Sequence, residues 1–246
     1  MNYIILAGGY GTRFKEDLEK EGKEKLKDLP KALLPIGNSC ILNRIFEWLP
    51  KYANTTVVTN DLFFNKFKDH LSDKNNVKII NDETKSPEEK LWSVGDLILA
   101  LRSLPRDDFL LLSSDTIFNI KFTDLEKEIL EKKSNIHLAY REDSKEIHKK
   151  GVMEIDTKGK IISLEEKPEK PQTKMAGIPV YFIKKETIPY IEEYYKKYPN
   201  KLDRLGDMIS YLIKKTEWYA LIDNGKVYDI GSLEMYNKLI KDISIK

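Results

Sequence analysis

Cysteine, histidine and arginine are scarce in this chain of 246 residues. The single cysteine, Cys40, excludes an intramolecular disulfide and leads to the expectation of a reducing, cytoplasmic setting. The three histidines offer little for imidazole catalysis: His70 and His148 sit in charged stretches and His137 in a strand. Arginine occurs only at positions 13, 44, 102, 106, 141 and 204, and every other basic side chain is Lys. Such a Lys/Glu-rich composition fits a thermophilic source or an AT-rich genome. No apolar run approaches the roughly 18 residues that a membrane helix needs. The start, Met1-Asn2-Tyr3, has neither a basic segment nor a cleavage site, so no signal peptide is expected. An excess of one charge is missing too. Lys and Arg total 42 against 40 Asp and Glu, a net +2, which argues against a protein built to coat nucleic acid or an anionic membrane surface. The expected partner is a small molecule or another protein, and a homo-oligomer is left open.

What is present supports a real core. Hydrophobic residues make up 41% and charged residues 33%. No Gly/Ser linker divides the chain, so residues 1–246 are expected to form one domain. Over the first 140 residues short apolar strands alternate with amphipathic helices. The strands are expected at Asn2–Ala7, Thr55–Thr59, Val77–Ile80, Phe109–Ser113 and Ile136–Tyr140. The helices are expected at Ile41–Tyr52, Asp61–Ser72, Val94–Leu104 and Asp124–Lys132. This order predicts an α/β fold: a Rossmann-like, mixed but mostly parallel sheet with helices on both faces. Phe109–Leu112 is apolar throughout, as a strand covered on both faces should be.

After Gly151 the pattern changes. Val152–Ile155, the turn Thr157-Lys158-Gly159 and Lys160–Leu164 predict an extra β-hairpin. Strands follow at Ile178–Ile183, Trp218–Ile222 and Val227–Ile230, and helices at Thr187–Lys197, Gly206–Lys215 and Leu233–Ile243. The added strands are expected to extend the same sheet. Lys15–Leu29 is crowded with Lys and Glu and has almost nothing apolar; it reads as a solvated loop or short surface helix, or as a flap beside the neighbouring glycines.

Those glycines carry the strongest chemical signal. Leu6-Ala7-Gly8-Gly9-Tyr10-Gly11-Thr12-Arg13 directly follows the first strand. Three glycines in four positions let backbone N–H groups approach a phosphate chain without Cβ obstruction, and an arginine at the end can fork onto phosphate oxygens. A P-loop would need Lys-Ser/Thr after its last glycine, where Thr12-Arg13 stand. A dinucleotide fingerprint would need a small residue at Phe14. A structural turn without a ligand stays open. Pro30-Lys31-Ala32-Leu33-Leu34-Pro35 then aims Lys31 from a stiff segment.

Taken in order, these motifs resemble the sugar-1-phosphate nucleotidyltransferases, in the single-domain form of glucose-1-phosphate thymidylyl- and uridylyltransferases. Ser114-Asp115-Thr116 stands where the family has Gly-Asp-Asn. Gly151-Val152 opens the hairpin, Glu166-Lys167-Pro168 matches Glu-Lys-Pro, and Asp229-Ile230-Gly231-Ser232 matches Asp-Ile-Gly-Thr. The resemblance spans about residues 3–240. Val57-Val58-Thr59-Asn60, Asn81-Asp82 and Gly95-Asp96-Leu97 are similar to a bacterial and archaeal branch of that family. The resemblance implies transfer of a nucleotide from an NTP to a sugar 1-phosphate with release of pyrophosphate. It implies nucleotide binding in residues 1–140 and sugar-phosphate binding in 141–246. Arg13, Lys31 and Asp115 would be catalytic, with Arg13 holding the triphosphate and Lys31 neutralising it. Leu6, Ala7, Gly8, Gly9, Gly11, Thr12, Asn81, Trp92 and Ser93 would join them around the nucleotide. Thr116, Gly151, Glu166, Lys167 and Gly177 would meet the sugar phosphate.

Asp115 lies just past a strand's carboxyl end and Asp229 ends another, and two such carboxylates suit a Mg²⁺ that takes its other ligands from water and substrate phosphates. Helix capping or turn formation remains an alternative for both, and an empty site of this kind is expected to leave acidic charge uncompensated. Trp92 replaces the first glycine of the family's base-binding run; it either stacks on the base or fills the core between helix and sheet. Ser114 and Thr116 depart from the family's Gly and Asn, so sugar contacts are expected to differ. The hexapeptide-repeat domain and acyltransferase activity of longer relatives are not expected here. Other readings kept open are a cytidylyltransferase acting on phosphocholine or inositol phosphate, and a non-catalytic sugar-nucleotide-binding subunit.

Overall fold

The computed structural model describes residues 1–22 and 26–244; residues 23–25 of the Lys/Glu-rich segment lie outside the described residues. In chain order the first half comprises β1 (Asn2–Leu6), α1 (Thr12–Lys20), β2 (Pro35–Ile36), β3 (Ser39–Cys40), α2 (Ile41–Trp48), β4 (Thr55–Thr59), α3 (Asp61–His70), β5 (Val77–Asn81), α4 (Trp92–Arg102), β6 (Phe109–Ser113), β7 (Thr116–Ile117) and α5 (Phe122–Lys132). The second comprises β8 (Asn135–Arg141), the hairpin β9 (Gly151–Ile155) and β10 (Ile161–Glu166), β11 (Met175–Ile183), α6 (Ile188–Lys197), α7 (Leu205–Ile213), β12 (Trp218–Asp223), β13 (Tyr228–Asp229) and α8 (Leu233–Ser244).

Strands β6, β1, β4 and β5 pair in that order and all in parallel. Side chains alternate strictly between two cores. Tyr3 and Ile5 pack with Leu110 and Leu112 on one face. Ile4 and Leu6 pack with Phe109 and Leu111 on the other. That is why the β6 sequence is apolar at every position: neither of its faces meets water. The second half joins the same sheet through β11, which runs antiparallel to β6 through Val180–Ile183 and antiparallel to β8 along its other edge. The first residues of β11 meet the β9–β10 hairpin at Ala176–Val152, and β12 closes the far edge parallel to β8. The expected mixed α/β sheet is therefore what forms.

Two expectations need correction, and one open reading is decided. Helix α2 ends at Trp48 rather than Tyr52, because Leu49 precedes Pro50 and is driven to an extended conformation (φ −70°, ψ 152°). The strand near Val227 does not extend the main sheet; β13 pairs with β7 in a separate two-stranded ribbon. Of the readings open for Lys15–Leu29, the short helix is what its start forms, as part of α1. Phe14 and Leu18, four residues apart, are both buried against α8, with the Phe14 and Tyr236 rings edge to face at 5.9 Å. The charged residues of α1 hide a two-residue apolar stripe that suffices to dock one face.

Candidate active site

A cleft of about 440 Å³ opens at the carboxyl ends of the parallel strands, the usual ligand position in such sheets. The glycine loop after β1 forms its floor, and Leu6 through Phe14 all line it. Gly11 has φ 67°, a left-handed conformation that turns the loop into α1 without strain because no Cβ is present. Asn60 fixes the loop from behind: its Oδ1 caps α3 by accepting from Phe63 N, while its Nδ2 donates to Gly8 O at 3.0 Å.

Across the cleft, Asp115 follows β6. Its Oδ2 accepts from Lys31 Nζ at 2.8 Å and its Oδ1 from Ser113 Oγ at 2.6 Å. Burial works against ionisation of Asp115, but the Lys31 ammonium and these hydrogen bonds outweigh it and hold the carboxyl below its usual range. Burial likewise disfavours the Lys31 ammonium, and Asp115 with Asp229 more than offsets it, so Lys31 stays charged. The β7–β13 ribbon sets Asp229 opposite Thr116, and Ile230 N donates to Asp115 O at 2.9 Å. Two aspartates far apart in sequence are thus brought to the same ribbon, Asp229 opposite the residue that follows Asp115. Asp229 Oδ2 accepts from Lys150 Nζ at 2.7 Å. Each carboxylate already has a lysine, which overturns the expectation of uncompensated acidic charge. Lys150 is a cation that motif reading missed; its only sequence signal is its position before Gly151.

Of the other expected residues, Thr12, Arg13, Trp92 and Ser93 line the cleft. Asn81 does not: its side chain donates to Asp61 Oδ1 and accepts from Glu83 N, and its neighbour Asp82 faces the cleft instead. Glu166, Lys167 and Gly151 do not line the cleft either; Glu166 pairs with Gly151 across the β9–β10 hairpin and Lys167 follows it. A Cβ at Gly151 would lie 3.0 Å from Glu166 Oε2, so glycine makes room for that carboxylate, whose pKa burial raises. Lys167 has φ 52° and donates its backbone N–H to Lys150 O. Thr116 and Gly177 are not among the cleft-lining residues. Thr116 is buried in the ribbon, and a Cβ at Gly177 would lie 2.8 Å from the ring of the buried His137. None of the three histidines lines the cleft.

Trp92 does not fill the core. It is 46% exposed at the cleft, with Lys90 Nζ 5.0 Å from its ring. Its φ of 63° is the conformation glycine would adopt at this position. The chain therefore keeps a glycine-like backbone turn while presenting an indole, at a strain of about 1–2 kcal/mol. The check is to compare Trp92→Gly with Trp92→Ala. Both lose the ring, but only glycine relieves the turn, so Trp92→Gly is expected to be more stable than Trp92→Ala by about 1 kcal/mol in denaturant unfolding. Equal stabilities would show that the turn carries no strain.

Comparison with known proteins adds independent information. Residues 2–245 match the family model described as nucleotidyl transferase. A bifunctional protein GlmU from Methanocaldococcus jannaschii is 26% identical over 232 residues, covering 94% of this chain and 51% of that protein. The chain thus spans about half the length of the GlmU relatives it matches. A D-glycero-alpha-D-manno-heptose 1-phosphate guanylyltransferase from Campylobacter jejuni is 28% identical over 239 residues, covering 91% of this chain and 100% of that protein. A crystal structure of UDP-glucose pyrophosphorylase complexed with UDP-glucose superposes with a TM-score of 0.78 at 18% identity, covering 99% of this chain and 98% of that one. That likeness concerns the fold.

Proposed function

The chain belongs to the nucleotidyl transferase family, and from that membership we propose that it joins a nucleoside triphosphate to a sugar 1-phosphate, giving an NDP-sugar and pyrophosphate. The observation that carries this reading is one cleft holding the glycine loop, Arg13, Lys31 and Asp115, with Asp229 linked to Asp115 through the β7–β13 ribbon.

The chemistry needs no general base. A phosphate monoester carries about −1.5 to −2 charge near neutral pH, so its oxygen is already a nucleophile. That oxygen attacks the α-phosphorus in line; a new P–O bond forms, the bond to the β-phosphate oxygen breaks, and pyrophosphate departs with the electron pair. Charge neutralisation and alignment are what the protein supplies. Backbone N–H groups of Gly8–Gly11, with Thr12 and Arg13, bind the triphosphate. Trp92 and Ser93 border the base. Lys167 and Lys150 receive the sugar phosphate, with Glu166 and Gly151 beside the sugar. Residues 1–140 thus serve the nucleotide and 141–246 the acceptor.

Asp115 and Asp229 fit a Mg²⁺: they are hard oxygen donors, two in number, and no larger cluster of His, Cys, Asp or Glu exists among the described residues. When bound, that ion supplies positive charge to the α-phosphate and the departing pyrophosphate. Lys31 and Lys150, now paired with these carboxylates, are the cations free to turn to the phosphates once the carboxylates have another partner. No helix among the described residues is long and apolar enough to cross a membrane, and the proposed setting is the cytoplasm.

Pyrophosphate release tests the reading. ATP, GTP, CTP, UTP and dTTP are each mixed with hexose and heptose 1-phosphates and with phosphocholine, in the presence of Mg²⁺. Release with at least one sugar 1-phosphate is expected. Release with phosphocholine alone, or with no acceptor, would overturn the proposal.

A further inference from the structure

Beside the glycine loop, lining the same cleft, lies a pair of acidic side chains that the reaction as derived does not use. Asp82 follows β5 and Asp96 sits in the second turn of α4, and they are only 8% and 5% exposed. Their carboxyl groups hydrogen-bond to each other. Two carboxylates in such contact cannot both ionise, so the pair holds one proton. The surrounding donors show which partner holds it. Asp82 Oδ1 accepts from Thr84 N at 2.8 Å and from Thr84 Oγ1 at 2.7 Å. Asp96 Oδ1 is buried without any partner. Asp82 is therefore the carboxylate, and Asp96 is the acid that donates to it. Burial first, and then the charge on Asp82, pushes the Asp96 pKa up to about 8.

This pair is connected to the loop at two points. Because the Thr84 hydroxyl is donated to Asp82, the Tyr10 hydroxyl at 2.9 Å donates to Thr84 Oγ1, tying loop residue Tyr10 to the pair. Gly8 lies directly against it: a Cβ there would be 2.4 Å from Asp96 Oδ2 and 3.3 Å from Asp82 Oδ2. Any separation of the two carboxyl groups would press on Gly8 and draw on Tyr10, the two ends of the phosphate-facing turn. The charged and titratable neighbours are Asp61 at the start of α3, Glu89 and Lys90 before α4, and Tyr10 itself. Asp61 adds to the penalty on a second negative charge, whereas Glu89 faces Tyr10 and Lys90 sits over the Tyr10 ring.

We infer that protonated Asp96 is a positioning residue for the triphosphate loop: through Asp82, Thr84 and Tyr10 on one side and Gly8 on the other, it holds the loop backbone in its phosphate-binding shape, and loss of its proton releases that shape. The inference rests on the reading of the cleft as a triphosphate site. It makes nucleotide binding sensitive to alkaline pH through a carboxyl pair at the cleft's edge beside the glycine loop.

The test compares wild type with Asp96→Asn, whose amide keeps a donor toward Asp82 but cannot ionise, and with Asp96→Ala, which has no donor. For wild type, the NTP KM is expected to rise at least about fivefold from pH 7 to 9.5 while kcat stays level. Asp96→Asn flattens that rise, and Asp96→Ala raises KM across the whole range. A second arm needs no substrate. Amide exchange over residues 7–13 is compared between wild type and Asp96→Asn at matched pH, and lower protection is expected in wild type at pH 9.5 only. Equal protection at pH 9.5, or an alkaline rise in KM that persists in Asp96→Asn, overturns the inference. Absence of turnover with every NTP, with the protection difference intact, overturns the proposed function instead.

Discussion

Asp115→Asn and Asp229→Asn are each expected to lower kcat at least about 10²-fold, the scale of losing one electrostatic stabiliser in a pre-organised site. Asparagine keeps the size of the side chain and removes the charge. Negative charge grows on the α-phosphate and on pyrophosphate as the reaction proceeds, and no histidine lines the cleft to act as an acid. The counter-charge must then come through these two carboxylates and the lysines beside them. The double variant should be little worse than either single one, because two ligands of one ion act as a unit. EDTA should abolish activity and Mg²⁺ restore it. The two variants should differ in stability. Asp115 is half-buried against Lys31, with side-chain exposures of 24% and 20%, so its loss is expected to destabilise the fold by about 1–3 kcal/mol. Asp229 is 42% exposed, and loss of its pair with Lys150 should be nearly neutral. Steady-state kinetics at saturating Mg²⁺, alongside denaturant unfolding, checks all of this. Retention of most wild-type activity by both single variants would make the carboxylates structural turn residues rather than ion ligands.

Lys31→Met should lower kcat by about 10²–10³-fold and should also destabilise the protein, for a separable reason. Methionine leaves Asp115 half-buried without its cation. The pH dependence follows from the two shifts. Asp115 has its pKa lowered, so the stability from its ionised form is present above the unfolded value of about 3.9 and is lost as pH falls through the folded value. Lys31 has its pKa raised, so its contribution is complete below about 10.4 and is lost as pH rises through the folded value. The pair therefore stabilises a broad plateau between those limits, and Lys31→Met should lower that plateau. Adding Asp115→Asn to Lys31→Met removes the unpaired charge and should recover part of the stability while recovering no activity. If the double variant regains both together, Lys31 acts through folding alone. If Lys31→Met keeps its kcat under conditions where it is folded, Lys31 does not face the phosphates.

Much of the architecture is legible in the chain because it is written in short windows. The alternation of Ile4, Ile5 and Leu6 between two cores, the all-apolar run of β6 and the turn at Lys158-Gly159 each depend on neighbours within a few residues. The sequence leaves α1 open between loop and surface helix because its core face is only Phe14 and Leu18 among charges, and what buries them is α8, at the other end of the chain. Trp92 was ambiguous for a related reason. An indole at the head of an apolar helix looks like core, and only the φ of 63° at that residue turns it outward.

The sequence by itself determined the α/β fold and the glycine loop, since strand periodicity and glycine geometry are local properties of the backbone; Arg13, Lys31 and Asp115 are singled out as a set by the resemblance of their motifs to a known family. The tertiary structure alone decided which charges meet. Lys31 and Asp115 are 84 residues apart, and Lys150 and Asp229 are 79 apart. Asp82 and Asp96 converge only because β5 and α4 both flank the glycine loop. Whether a carboxyl group is an ion ligand, half of a lysine pair or a neutral acid depends on burial and on partners brought together by sheet order. No window along the chain contains that information.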